Sequence, residues 1–292
     1  FEGPGSRLRR DATGFVCIAA FPAVVNCAGA QVRADAVQQR QEMVLHQPIV
    51  IDSSDTVADF RQYILRPAED FDGEAMILVQ PATEDGRVWQ VDLSGVHIKG
   101  NRKVGDPKGV VIRKASGVFV SGIRIQNLKN VGLELDWVWN STIHCHVYGC
   151  GDWDKKLPGL LIHSGSSKIG PPRDKTNDVI FRDCRFEASE YRQIVAIGAS
   201  PLQFIGGKWH GLRNERSSED SLNRSEELAE FERCDGNIFV SFVQLAWLGP
   251  KAKCGVSIKG SGTYRFDIGW GAETEEKQIV QSDGFAELQV NR

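Results

Sequence analysis

The chain has 292 residues, 41% hydrophobic and 25% charged, with 35 basic residues against 38 acidic ones and a formal net charge of −3. That length supports a sizeable core, in one large domain or two small ones. The balanced charge excludes a global attraction to nucleic acid or anionic lipid, and no apolar run reaches the roughly 20 residues of a membrane span.

At the N-terminus, RLRR (7–10), GFVCIAAFPAVV (14–25) and CAGA (27–30) follow the basic, apolar, small-residue order of a secretory signal cleaved after Ala30. Pro22 interrupts the apolar segment, so residues 1–30 are read either as that signal or as a mobile extension. VRADAVQQRQEMVLH (32–46) suits a short helix with Val37, Met43 and Val44 as contacts. Residues 31–85 are read as a capping, lead-in segment.

From about residue 86 the texture changes to short β-rich runs separated by Gly, Asn and Asp. The pattern Gly-Φ-x-Φ-x, with Φ apolar, occurs as GVVIR (109–113), GLELD (132–136), GLLIH (159–163) and GVSIK (255–259), and IVAIG (194–198) is related to it. A second pattern accompanies it: SGVHIKG, SGVFVSGIRIQN, NSTIHCHVYG, NDVIFRDCRFE and GNIFVSFVQLAW. A unit of about 22–27 residues with two or three short strands cannot close a core alone, but stacked units bury their alternate apolar residues on one another. An antiparallel sandwich also explains short strands, but not two patterns returning in one order. SSEDSLNRSEELAEFER (217–233) is polar and acidic and reads as a helical surface insertion.

NDVIFRDCRFEAS and IVAIGASPLQFIGGKWHG resemble coils of right-handed parallel β-helix proteins of the pectate-lyase-like superfamily, particularly the tail-spike proteins of bacteriophages. DTVADFRQYILRPAEDFDGEAMILVQ (55–80) is similar to the segment that leads into such a spike. The resemblance implies an all-β, right-handed parallel β-helix of roughly seven coils over residues 86–292. It also implies an extracellular or cell-surface polysaccharide as partner, a homotrimer, and an extracellular or virion-associated setting. Because this fold carries lyases, hydrolases and non-catalytic adhesins, it leaves three functions open. These are a glycan-binding spike with depolymerase activity, a secreted polysaccharide lyase or glycoside hydrolase, and a purely structural β-helix. The aspartate cluster of calcium-dependent pectate lyases and the Asn-Thr-Asp and Gly-His-Gly signatures of polygalacturonases are missing, so no catalytic set carries over.

Strand alternation assigns directions. In GVVIR, GLELD and GLLIH, Val110, Ile112, Leu133, Leu135, Leu160 and Ile162 point inward. Stacked in register, Arg113, Asp136 and His163 then form an outward ladder with rungs about 4.8 Å apart, and Glu134 shares its surface. A carboxylate between a guanidinium and an imidazole suits acid–base work on a polysaccharide, so Asp136, His163 and Glu134 are candidate catalytic residues. Arg113 would neutralise a uronate carboxylate. The alternative is an ion-pair ladder that only satisfies the sheet face.

Trp137 and Trp139, after the GLELD strand, and Asp152, Trp153 and Asp154 in the loop GDWDKK have the indole-and-carboxylate chemistry of sugar binding, and are candidate substrate-binding residues. They suit framework packing equally well. No cofactor or metal is expected: His144 and His146 share a strand face while Cys145 faces the other way, so the three cannot hold one ion. The alignment instead places Cys145 against Cys184 inside the coil. With no CxxC among seven cysteines, buried free thiols are expected. KVGDPKG (103–109) is a turn rather than a phosphate loop, and nucleic acid is not an expected partner.

Overall fold

The computed structural model describes residues 15–16, 40–103, 105–164, 175–211, 227–234, 237–246, 254–270, 278–282 and 286–291. These residues form strands, turns and bends without a helix, and every strand pairing is parallel. No helix among them is long and apolar enough to cross a membrane.

The register resolves the parallel ladder into three stacks, which successive coils visit in turn. On the first sheet, Ile49, Ile77, Val110, Leu133, Leu160, Ile194, Ala229, Val256 and Val280 follow one another as direct partners. Every one of them from Ile49 to Val256 is buried. On the second sheet the inward column runs Ala58, Leu93, Val120, Ile143, Phe181, Phe204, Val240 and Phe266. On the third it runs Ile98, Ile125, Val147, Phe186, Trp209 and Leu245. The molecule is a right-handed parallel β-helix.

Two of the first-sheet rungs, Ile49 and Ile77, lie upstream of residue 86, and Phe15–Val16 pairs with Val57–Ala58 of the second sheet. Like residues stack within the columns. Phe181 and Phe204 lie face to face at 4.5 Å, and Cys145 Sγ sits 3.8 Å from Cys184 Sγ.

The bends between sheets are made by residues in the left-handed conformation, repeated from coil to coil. Gln90, Gly117 and Asn140 turn the chain from first to second sheet, and Gly95, Gly122, Asp183, Gly206 and Phe242 from second to third. Gly117 N–H bonds Trp139 O and Gly206 N–H bonds Ser241 O across the coils, whereas the register slips by one residue at Gly122 and at Phe242. The glycine that opens the first-sheet motif has a different cause. A Cβ on Gly109 would lie 2.4 Å from Gly132 O, and one on Gly132 would lie 2.5 Å from Val147 Cγ1.

Two expected helices are corrected. Gln41–Leu45 is a strand in parallel register with Tyr63–Pro67, so ladder pairing overrides local helical preference, and Val44 is exposed rather than a contact. Ala229–Glu232, the end of the acidic insertion, is a first-sheet strand whose Ala229 and Phe231 are buried. The preceding parts of both segments, and the signal-like residues apart from Phe15–Val16, lie outside the described residues, as do Cys17 and Cys27. The other five cysteines are buried.

Candidate functional site

The outward faces of the first sheet carry the charges. Arg113, Asp136 and His163 are direct partners across three strands. Arg113 Nε donates to Asp136 Oδ2 at 3.2 Å, and His163 Nδ1 lies 3.7 Å from Asp136 Oδ1. The imidazole leans back along the strand, and its Nε2 is 3.2 Å from Glu134 Oε1.

Three residues absent from the sequence expectation, Lys108, Glu74 and Gln80, complete the group. Lys108 Nζ lies 2.6 Å from Glu134 Oε2 and 2.8 Å from Glu74 Oε1, and Arg113 Nη2 donates to Glu74 Oε1 at 2.9 Å. Gln80 Oε1, 3.4 Å from Arg113 Nη1, closes the edge. Their signal lay in GEAMILVQ, which stacks residue for residue on KGVVIR: Ala75 partners Lys108 and Val79 partners Ile112. That segment has Met76 where the repeat has glycine, so the Gly-Φ-x-Φ-x pattern does not extend to its coil.

Burial orders these groups in depth. Glu134 is 2% exposed and Asp136 9%, whereas Lys108, Arg113, His163 and Glu74 are partly exposed above them. Burial alone would raise the pKa of Glu134, but hydrogen bonds and charge from His163 and Lys108 outweigh it, and the carboxyl stays below its ordinary range. Glu74 behaves likewise: burial opposes ionisation, and Arg113 and Lys108 prevail, holding it at about 2. The two cations are pushed up in turn, since their carboxylate partners outweigh burial. The result is a pair of buried carboxylates, Glu134 and Asp136, beneath the partly exposed Lys108, Arg113, His163 and Glu74.

The aromatic candidates are placed elsewhere. Trp137 is the left-handed residue that ends the Asp136 strand segment, and the Lys114 ammonium lies 5.2 Å from its ring centre. Trp139 is buried, with the Arg87 guanidinium 4.8 Å over its ring. Trp153 packs edge-on against Tyr191 at 5.7 Å. Asp152 is buried, and its Oδ1 accepts from the N–H groups of Asp154 (2.9 Å) and Lys155 (3.2 Å), which shapes the turn. Asp154 is exposed. Trp137 follows the first-sheet strand while Trp153 precedes the next one, so these indoles flank opposite edges of the sheet. The structure therefore brings together Arg113, Glu134, Asp136 and His163, but it does not gather the aromatics around them.

No family model matches the chain, and no curated protein matches it significantly. Solved structures align with it over most of its length. The ORF18 protein of Geobacillus virus E2 aligns over 86% of this chain at 15% identity with a TM-score of 0.47, and the chain spans about half (54%) of that protein's length. PfbA, a surface adhesin of Streptococcus pneumoniae, aligns over 87% of this chain and 84% of its own at 8% identity and a TM-score of 0.46. Pectate lyase Pel9A aligns over 87% and 67% at 12% identity and a TM-score of 0.36. The β-helix itself rests on the strand register described above.

Among the described residues no group of three His, Cys, Asp or Glu side chains is arranged to hold a metal ion. His146 Nε2 instead meets Glu187 Oε2 at 2.8 Å, on the third sheet.

Proposed function

We propose that this chain recognises an acidic polysaccharide on the outer face of its first sheet, as a tail-spike-like β-helix protein acting outside a cell or on a virion. The observation that carries the reading is the depth order of the charged group. Lys108 and Arg113 are among its reachable groups, with Glu74 beside them, and the buried Glu134 and Asp136 hold the two cations in place. Arg113 and Lys108 would accept the carboxylates of a uronate chain, and Glu74 and Gln80 would bond hydroxyls. A rigid ladder suits an extended polymer, because each rung repeats about 4.8 Å from the last.

The burial of Glu134 and Asp136 favours binding over cleavage, since a general base must reach the proton it removes. Depolymerase action is the second reading. It rests on His163, whose two ring nitrogens face Glu134 and Asp136 and whose side chain is partly exposed. In a lyase step the His163 nitrogen turned away from Glu134 would take the proton α to the uronate carboxylate as the C4–O glycosidic bond breaks, the leaving oxygen taking a proton from solvent, while Arg113 neutralises that carboxylate. A homotrimer, as in spikes, is part of the proposal.

Calorimetric titration with oligogalacturonate, against neutral dextran of equal length, tests the binding. Arg113→Gln should weaken binding more than tenfold, as expected for one charge-assisted contact. Equal affinity for dextran, or an unchanged Arg113→Gln, refutes it. Ultraviolet absorbance from new unsaturated uronates tests the lyase step, which His163→Ala should abolish.

A further inference from the structure

The third sheet carries a second, separate ladder. Its outward column reads His97, Arg124, His146, Arg185 and Lys208 in direct register over five consecutive coils. The neighbouring outward column holds Lys99, Gln126, Tyr148, Glu187 and His210 on the same rungs. Arg66, one coil earlier, adds another cation beside Lys99. In a chain of net charge −3, this is a predominantly cationic strip about 19 Å long, taking about 4.8 Å per rung.

Acids on the strip are few and engaged. Glu187 accepts from Arg185 Nη2 at 2.8 Å and faces His146 Nε2 at 2.8 Å, while Glu42 pairs with Arg66 at 2.8 Å. Gln126 fits between His97 and Arg124 when its oxygen faces the guanidinium (3.0 Å) and its NH2 faces His97 Nε2 (3.2 Å). Arg124 and Arg185 are exposed, and Lys208 and His97 are half-buried. None of these residues belongs to the first-sheet group.

We infer that the third sheet is a second binding face, which takes a linear acidic polysaccharide along the helix axis with one anionic group per rung. Charge complementarity identifies the occupant as a polyanion. The polar residues between the cations favour a sugar chain over single-stranded nucleic acid. Gln126, Gln244 and Glu187 can bond hydroxyls, whereas Tyr148 is the single tyrosine, phenylalanine or tryptophan outward on these rungs, too few for base stacking. This face stands whether or not the first sheet binds a glycan.

The histidines make the face respond to pH. Burial lowers the pKa of His97, and the cations Arg40, Arg124 and Lys99 lower it further. Burial likewise lowers that of His210, where Lys208 and Arg185 act against Glu187. A bound anion favours their protonated forms, so binding takes up protons and tightens as pH falls below the ordinary histidine range.

The experiment titrates polygalacturonate into the wild type and into the double variant Arg124→Gln/Lys208→Gln, with urea midpoints confirming that both fold. Each titration is repeated in the Arg113→Gln background, so that loss of the first-sheet site and loss of this one are read separately. The double variant should bind about tenfold more weakly in either background, as expected for two partly exposed charge contacts, with a shallower salt dependence. Arg265→Gln, which removes an exposed charge from the second sheet, should change nothing. The inference is overturned if the double variant binds as wild type, if Arg265→Gln weakens binding equally, or if a single-stranded oligonucleotide of equal charge binds as tightly.

Discussion

Glu134 Oε1 lies 3.2 Å from His163 Nε2, closer than any approach of that ring to Asp136, although His163 and Asp136 share a rung. The diagonal contact makes Glu134, not Asp136, the hub of the charged group, with Lys108 on its other oxygen. Replacing Glu134 by Gln leaves Lys108 and Arg113 without their buried carboxylate partner. The expected cost is about 3 kcal/mol, read as a lowered urea midpoint with an unchanged slope. A midpoint within a few tenths of a molar of wild type would show that the pair contributes nothing to the fold.

Acid should loosen the molecule in a defined window. Glu74 and Glu187 are both held at about 2 against an ordinary 4.5, because hydrogen bonds from cationic partners outweigh burial. A depressed folded pKa means the stabilisation is fully present above about pH 4.5. It fades as pH falls towards about 2, where the folded protein takes up these protons. Stability measured from pH 6 to 2 should drop through this window, and Glu74→Gln/Glu187→Gln should flatten the drop. A parallel decline in the variant would assign acid sensitivity to other groups.

The repeat glycine is tested by Gly132→Ala. The added Cβ would sit 2.5 Å from Val147 Cγ1 and 3.0 Å from Gly159 O, so neighbouring coils must shift. A loss of about 1–3 kcal/mol is expected, as for other overpacked cores. Gly105→Ala, where no atom lies within 4 Å of the added carbon, has no such contact, though its left-handed φ adds a smaller strain. Equal losses at both positions would remove close packing as the cause.

The five buried thiols should be unreactive in the folded protein. Cys145 is raised well above its ordinary pKa by hydrogen bonding to Cys184 and by burial, and Cys150 is pushed up to about 12 by burial. Maleimide labelling at pH 7.5, resolved by peptide mapping, should leave these five unlabelled until urea reaches the unfolding transition. Rapid native labelling of Cys145 or Cys184 would contradict their stacking inside the coil.

Alternation in GVVIR, GLELD and GLLIH was enough to predict which side chains enter the core and which line up outside. A period-two pattern fixes direction whenever one face is buried, and the recurring glycine marks register because a Cβ at Gly109 or Gly132 would strike the neighbouring coil. The coil containing GEAMILVQ was less legible, since Met76 stands where the repeat has glycine, and Glu74 escaped notice with it. Trp137 and Trp139 looked like a sugar platform because sequence shows their proximity to Asp136. It does not show that the chain turns a corner at Trp137 and places cations over both rings.

The amino-acid sequence by itself determined the stacking β architecture, the inward columns and the outward alignment of Arg113, Asp136 and His163, because these follow from local periodicity. Only the tertiary structure decided the depth of each charge, the hub role of Glu134, the participation of Glu74 and Lys108, and the gathering of His97, Arg124, His146, Arg185 and Lys208 into one strip. Those depend on which residues meet across coils 22 to 39 positions apart, and variable loops make that spacing too irregular to read along the chain.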